Sequence, residues 1–267
     1  MSVNSYLSNL SANLTLSTDE NALVATSIAK IGTGISTYFG ADVTEKFIFG
    51  SYDRGTILTR KADDQSGVDY MVVFDNSKND KPVKYMEQLK AFAEIHYVQS
   101  EIYQTSPTVI LNLNNIKFKL VPAYCSHGVY FISDGAGGWV NTDPKASLAE
   151  ISECDKKNND MIKPVVRLIK HWNNEKNNRE IFSYNIENKI TTYMKFSYFS
   201  YSSYSEYVRH ALTLLKSNRN NPEINYAIGC IDKALAFEKY GLSNAAEDEI
   251  AKAFPIVIAK KQKRKRA

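Results

Sequence analysis

The sequence predicts an α+β protein of two lobes, and three observations carry this. Strand-like runs rich in β-branched residues occur before about residue 155. The long amphipathic patterns beyond that point are helical. The length, 267 residues, is large for one small domain and small for three. Hydrophobic residues at 43% and charged residues at 23% exclude a mostly disordered chain. Apolar runs such as Met71–Phe74 are far too short to span a bilayer. The first twenty residues are rich in Ser, Asn and Thr and lack a basic cluster ahead of an apolar core, so no secretory leader and no membrane association are expected. Cys125, Cys154 and Cys230 are scattered and lack CxxC spacing, which argues against a disulfide framework or zinc site and for a reducing cytoplasm.

The elements follow in order. Leu23, Ile28, Ile31, Ile35 and Phe39 recur at helical spacing, and Ser17-Thr18-Asp19-Glu20 supplies a cap and first-turn acids, so a long helix is expected over Thr18–Phe39. Phe47–Gly50 reads as a short strand, residues 52–67 as a polar, turn-rich stretch, and Val68–Phe74 as a buried strand closed by Asp75-Asn76. Helical periodicity then runs through Val83–Tyr103. Thr108–Leu113 and Ile116–Val121 are β-branched runs around Asn114-Asn115, a hairpin signal. Gly135–Gly138 marks a loop. Helices are expected over Ile162–Trp172, Glu187–Tyr198, Ser205–Lys216, Ile224–Tyr240 and Asn244–Phe254. The predicted organisation is a core at 1–155, a helical lobe at 156–255 and a basic tail at 256–267.

The net charge of +4 is concentrated in that tail. Lys260, Lys261, Lys263, Arg264, Lys265 and Arg266 are six of the 33 basic residues, and without them 27 basic residues face 29 acidic ones. The tail reads either as a solvated terminus or as a phosphate-attracting segment for nucleic acid or an acidic partner. The tyrosine-rich stretch 198–207 reads as a helix junction with partly buried aromatics, base stacking being the other reading. His96, His127, His171 and His210 have no ligand spacing, and Cys125 has no paired-histidine signal.

The segment with chemical content is Phe49-Gly50-Ser51-Tyr52-Asp53-Arg54-Gly55-Thr56, followed by Ser66-Gly67-Val68-Asp69. A glycine and a small hydroxyl residue after a strand let backbone N–H groups approach a phosphate. Alternate positions on the next strand share one sheet face, the arrangement through which carboxylates share metal ions. GSYxRGT followed by such a strand is a specific pattern.

With these residues the chain resembles the polymerase-β-type nucleotidyltransferases, and within them the bacterial antiphage group related to cyclic GMP-AMP synthase and oligoadenylate synthase, with a SMODS-type domain. Further segments agree in order: Phe118–Ala123 with a strand ending in "VPA", Lys163–Asn173 with an "RLxKxWN" helix, Phe182–Glu187 with an "SxxxE" helix start, and Ala236–Gly241, Ala245-Ala246 and Phe254-Pro255 with the closing helices. The resemblance spans roughly residues 20 to 255 and implies a two-lobed fold: a mixed sheet, a C-terminal helical lobe and a cleft between them.

The resemblance also implies three acids, of which this chain keeps Asp69 and has Gly67 and Lys119 at the other two positions. Lys119 is expected beside Asp69 on a neighbouring strand. Asp75 is on the same strand parity but too far along it to substitute, and Asp53, Asp63 and Asp64 lie on loops. The binding residues implied are Gly50 and Ser51 for a triphosphate, Lys170 and Ser183 for its outer phosphates, and Tyr184 for a base. Without the resemblance, Lys170 reads as a surface lysine, Ser183 as an N-cap, Tyr184 as a core aromatic, Trp172 as packing and Arg54 as a brace for its loop.

Two functions follow. One is an active nucleotidyltransferase using NTP or dNTP with Mg²⁺ or Mn²⁺ to make a cyclic or linear nucleotide signal in antiphage defence, read by a downstream effector. The other is a catalytically impaired relative that binds nucleotide or a partner protein.

Overall fold

A computed structural model describes residues 1–105, 107–113, 116–196, 201–216 and 221–257. Asn114-Asn115, residues 198–200 of the tyrosine-rich stretch and the basic cluster 260–266 lie outside the described residues. In chain order the elements are α1 (Val3–Asn13), α2 (Thr18–Phe39), β1 (Val43–Phe49), α3 (Gly50–Asp53), β2 (Gly67–Phe74), α4 (Pro82–His96), β3 (Glu101–Thr105), β4 (Thr108–Asn112), β5 (Lys117–Ser126), β6 (Val129–Ser133) and β7 (Trp139–Thr142). The helices α5 (Pro144–Lys157), α6 (Ile162–Lys176), α7 (Ser183–Met194), α8 (Tyr204–Leu215), α9 (Pro222–Lys239) and α10 (Ser243–Ala253) follow.

The chain divides into two units that are discontinuous in sequence. A sheet unit comprises Ser17–Ile57 and Gln65–Leu148; a helical unit comprises Met1–Leu16, Leu58–Asp64 and Ala149–Ala267. Residues 1–16, 58–64 and 149–155, grouped with the core by the sequence reading, therefore pack with the helices. The chain passes between the units near residues 16, 57, 64 and 148.

The sheet unit holds a mixed sheet with strand order β1-β2-β5-β4-β3, and β6 and β7 extend it from the far end of β5. The β2–β5 pair is parallel and the other pairs are antiparallel. A parallel neighbour requires a crossover, and α4 with the β3–β4 hairpin supplies it. Alternation along β2 sorts its residues. Tyr70 and Phe74 lie on the face reached by helix aromatics, with Phe74 stacked on Tyr85 at 4.6 Å and edge-on to Phe39 at 5.2 Å. Met71 and Val73 point the other way, into a cluster with Ala123, Tyr130, Phe47, Phe49 and Ile132. Asp69 shares the parity of Met71 and Val73, so the second face carries the site.

Helix α2 begins where its cap signal placed it. Ser17 Oγ accepts from the Glu20 N–H and the Glu20 carboxylate accepts from the Ser17 N–H, a complete capping box.

The helical unit is built around α6, whose Val165, Val166, Leu168, Ile169 and Trp172 are fully or almost fully buried among residues of α1, α7, α8, α9 and α10. Trp172 is therefore packing, as the sequence suggested. Helix α1 went unrecognised in the sequence, although Val3, Leu7, Leu10 and Leu14 recur at helical spacing and are buried here. Its Tyr6 hydroxyl donates to the Phe254 carbonyl at 2.7 Å.

Burial, reinforced by nearby Glu247, pushes the Tyr6 phenol from an ordinary 10.0 up to about 12. The folded state then keeps a proton that the unfolded chain loses near pH 10. This contribution is complete below pH 10 and is lost as pH rises through 12, on the order of 2 kcal/mol in all. In urea midpoints measured from pH 9 to 12, Tyr6→Phe is expected to show a shallower decline than the unsubstituted chain. Parallel declines would mean that Tyr6 does not titrate in this way.

Other elements depart from expectation. The helix expected over Val83–Tyr103 stops at His96; a turn follows, and Glu101–Thr105 pairs antiparallel with β4 as the outer strand β3. Strands β6 and β7 flank the Gly135–Gly138 loop as a hairpin, and α5 precedes the first helix that was foreseen in this region. Helix α7 starts at Ser183, four residues earlier than expected, with Phe182 in the cap position. Ser183 is thus the first helical residue and not an N-cap.

Candidate active site on the sheet face

The site begins where β1 runs into α3. Phe49, the last residue of β1, pairs with Asp69 on β2, so the turn at Gly50 sits directly beside the Asp69 carboxylate. Gly50 has φ +75°, a left-handed conformation that glycine adopts without strain. Space imposes the same choice: a Cβ on Gly50 would stand 2.9 Å from Asp69 Cγ and closer still to the carboxylate oxygen. Backbone bonds from Arg54 N–H to Gly50 O (3.1 Å) and from Thr56 N–H to Ser51 O (2.8 Å) fix the segment behind it. Arg54 is buried in this segment, and its charge partly offsets the desolvation that raises the neighbouring Asp53 carboxyl above its usual range.

The parallel β2–β5 register sets Asp69 opposite Lys119 and Gly67 opposite Lys117. Lys119 Nζ lies 3.9 Å from Asp69 Oδ1, with the lysine side chain 36% and the aspartate 22% exposed. A pair this open contributes little to stability, about 0–1 kcal/mol. Its consequence is chemical, because it sets a positive charge beside the retained acid. Position 67 is closed in a different way. A Cβ there would lie 2.8 Å from the Lys117 carbonyl oxygen and 3.3 Å from Lys117 Cβ. Lys117 itself is buried, and its ammonium donates to Gln65 Oε1 at 3.1 Å.

The remaining acids are placed elsewhere. Asp63 and Asp64 belong to the helical unit, where the Arg179 guanidinium binds both, at 2.8 and 3.1 Å. Asp75 lies past the end of β2 and its carboxylate accepts from Ser77. Among the described residues no group of three or more His, Cys, Asp and Glu side chains could hold a metal. Two-metal phosphoryl transfer needs several oxygen ligands around Mg²⁺ or Mn²⁺. One carboxylate with an ammonium at 3.9 Å and a glycine that admits no side chain do not fit such a pair of ions.

Lys170, Ser183 and Tyr184 belong to the helical unit. Lys170 is 4% exposed and donates to the equally buried Glu187 across α6 and α7, which overturns its reading as a surface lysine. Ser183 and Tyr184 occupy the first turn of α7, one turn before Glu187, and both are exposed. Tyr184, at 56% exposure, is not a core aromatic. The Lys170–Glu187 pair was missed in the sequence, although the "SxxxE" pattern singled out the glutamate. The histidines are structural or exposed: His171 Nε2 bonds the Pro255 carbonyl at 2.7 Å, and His127 lies on an exposed turn.

This arrangement has relatives. Residues 1–158 match the family model for the Second Messenger Oligonucleotide or Dinucleotide Synthetase domain. A probable cyclic nucleotide synthase of Bacillus cereus (strain VD146) is 26% identical over 192 residues, 60% of this chain and 58% of that protein. The cyclic AMP-AMP-AMP synthase of Acinetobacter sp. (strain ATCC 27244 / 9458) is 29% identical over 147 residues, 48% of this chain and 39% of that protein. The matched stretch thus spans well under two thirds of either relative.

Among solved structures, CdnC of Escherichia coli MS115-1 is similar both in its HORMA-deltaN complex and with ATP. The TM-scores are 0.73 and 0.68 at 13% and 14% identity, each covering 94% of this chain and 98% and 97% of the other. At that identity the likeness establishes a shared fold alone, a mixed sheet with helices of the polymerase-β-like kind. No helix among the described residues is long and apolar enough to cross a membrane. The family match covers more than half of the chain, which therefore belongs to the SMODS family, the Second Messenger Oligonucleotide or Dinucleotide Synthetase domain.

Proposed function

We propose that this chain is a nucleotide-binding member of the family that has lost nucleotidyl transfer and serves in bacterial antiphage signalling as a nucleotide-holding or partner-binding component. The observation that carries this reading is the Asp69–Lys119 pair, set beside a position 67 that admits no side chain. In-line displacement at a phosphoryl group needs positive charge held on the attacking and leaving oxygens. Here the retained carboxylate faces a lysine, and the donor set for a metal is incomplete. The turn at Gly50 and Ser51 keeps backbone groups at the site and supports phosphate binding there. The ATP-bound relative supports a nucleoside triphosphate as the ligand, and the HORMA complex of the same relative supports a protein partner. Lys170, Ser183 and Tyr184 are the proposed further contacts to phosphate and base. The buried free thiols Cys154 and Cys230 suit a reducing cytoplasm.

The test incubates the full chain with each NTP and dNTP, with Mg²⁺ and then Mn²⁺. Retention on the protein is followed by equilibrium dialysis and products by thin-layer chromatography. The expected result is retention of at least one triphosphate with no product above a protein-free control. Metal-dependent formation of a cyclic or linear nucleotide would overturn the reading and establish an active synthase.

A further inference from the structure

We propose that the Asp69–Lys119 site takes its triphosphate as the metal-free polyphosphate anion, with the Lys119 ammonium in the charge-neutralising role. This inference rests on the nucleotide-binding reading above and specifies the form of ligand it takes. Three features of the sheet face point to it.

The first is charge. Asp69 and Lys119 are paired in register, so the pair carries no net charge for a divalent ion to screen before a polyanion approaches. The second is access. The lysine is the more open member of the pair, and its 3.9 Å separation from Asp69 is an electrostatic contact beyond hydrogen-bond length. Lys119 thus breaks no hydrogen bond to Asp69 when it turns its N–H donors to a phosphate oxygen, and a lysine ammonium binds phosphate as a compact point charge.

The third feature is position 67. The close approach of the Lys117 carbonyl removes any room for a second carboxylate on the same strand face. Position 67 therefore adds no second carboxylate beside Asp69, and Lys119 stands opposite the one that remains.

The test measures binding of ATP and of inorganic tripolyphosphate to the full chain by calorimetry, in EDTA and in excess Mg²⁺. Lys119→Gln and Lys119→Arg are measured alongside, with circular dichroism as a check on folding. Both ligands are expected to bind in EDTA, and excess Mg²⁺, which converts both to their metal complexes, should weaken the binding of each; binding undiminished by Mg²⁺ overturns the inference. Lys119→Gln should weaken binding in EDTA by about tenfold or more, the scale of one lost charge-assisted contact, and Lys119→Arg should keep most of it. ATP binding that requires Mg²⁺ overturns the inference and leaves nucleotide binding standing. ATP binding without tripolyphosphate binding, or with full affinity in a folded Lys119→Gln, also overturns it. Absence of ATP binding in both buffers removes the inference and the nucleotide-binding reading together. Should Lys119→Gln fail to fold, the comparison of EDTA with Mg²⁺ on the unsubstituted chain decides the question alone.

Discussion

Glu187→Ala and Lys170→Ala are each expected to destabilise the protein by about 3–5 kcal/mol, the cost of stranding one charge of a buried ion pair. Both side chains are buried and they bond each other between α6 and α7, in the unit that holds the apolar cluster around α6. The paired replacement Lys170→Met with Glu187→Leu removes both charges at similar volume and is expected to lie within about 1–2 kcal/mol of the unsubstituted chain. Urea denaturation of the three variants checks this. Near-additive losses in the double variant would show that the pair is not coupled. The same series tests the proposed phosphate contact. Weak ATP binding by Lys170→Ala alone confounds folding with recognition, whereas a stable double variant does not. A folded double variant with unchanged ATP affinity would remove Lys170 from the binding site.

Gly67→Asp is expected to lower stability by on the order of 2–3 kcal/mol, the range for overpacking a well-packed position, and to gain no turnover. The atom that a Cβ meets at 2.8 Å is a backbone oxygen of the neighbouring strand, which moves only if the β2–β5 register is disturbed. Lys119→Asp changes a partly exposed side chain and should fold. The sequence pattern suggests that acids at 67 and 119 would together rebuild a metal site; the strand packing predicts that the first of these fails. Thermal melts of the two single variants check the contrast. A fully stable Gly67→Asp that binds Mn²⁺ would show that the strands have room to separate.

Much of the fold was legible because its signals are local. The capping box at Ser17 and Glu20, the apolar run of β2 and the hairpin around Asn114-Asn115 lie within a few residues of the elements they specify, and β4 and β5 do pair antiparallel there. The helical period through Val83–Tyr103 misled because Tyr97 and Tyr103 fall close to the helical repeat. Pairing of Glu101–Thr105 with β4 fixes that segment as a strand, and pairing partners are not visible in a local window. Helix α1 was overlooked because Ser and Asn dilute its apolar stripe.

At the site, the family resemblance implied Lys119 beside Asp69 and Gly50 in the same site, and the strand registers bring Phe49 and Lys119 opposite Asp69. The reason for glycine at 67 was not legible. It depends on a carbonyl 50 positions away in sequence, brought close by a parallel pairing that sequence spacing does not encode. The burial of Lys170 likewise depends on Glu187 from another helix.

Whether the face around Asp69 can hold a divalent cation separates a synthase from a nucleotide-holding relative. Titration of Mn²⁺ into the full chain, followed by electron paramagnetic resonance with and without ATP, measures this directly, with Asp69→Asn as the reference. One carboxylate opposed by Lys119 predicts no Mn²⁺ site that distinguishes the chain from Asp69→Asn. A tight Mn²⁺ site that disappears in Asp69→Asn would contradict the account and return the chain to the active synthases.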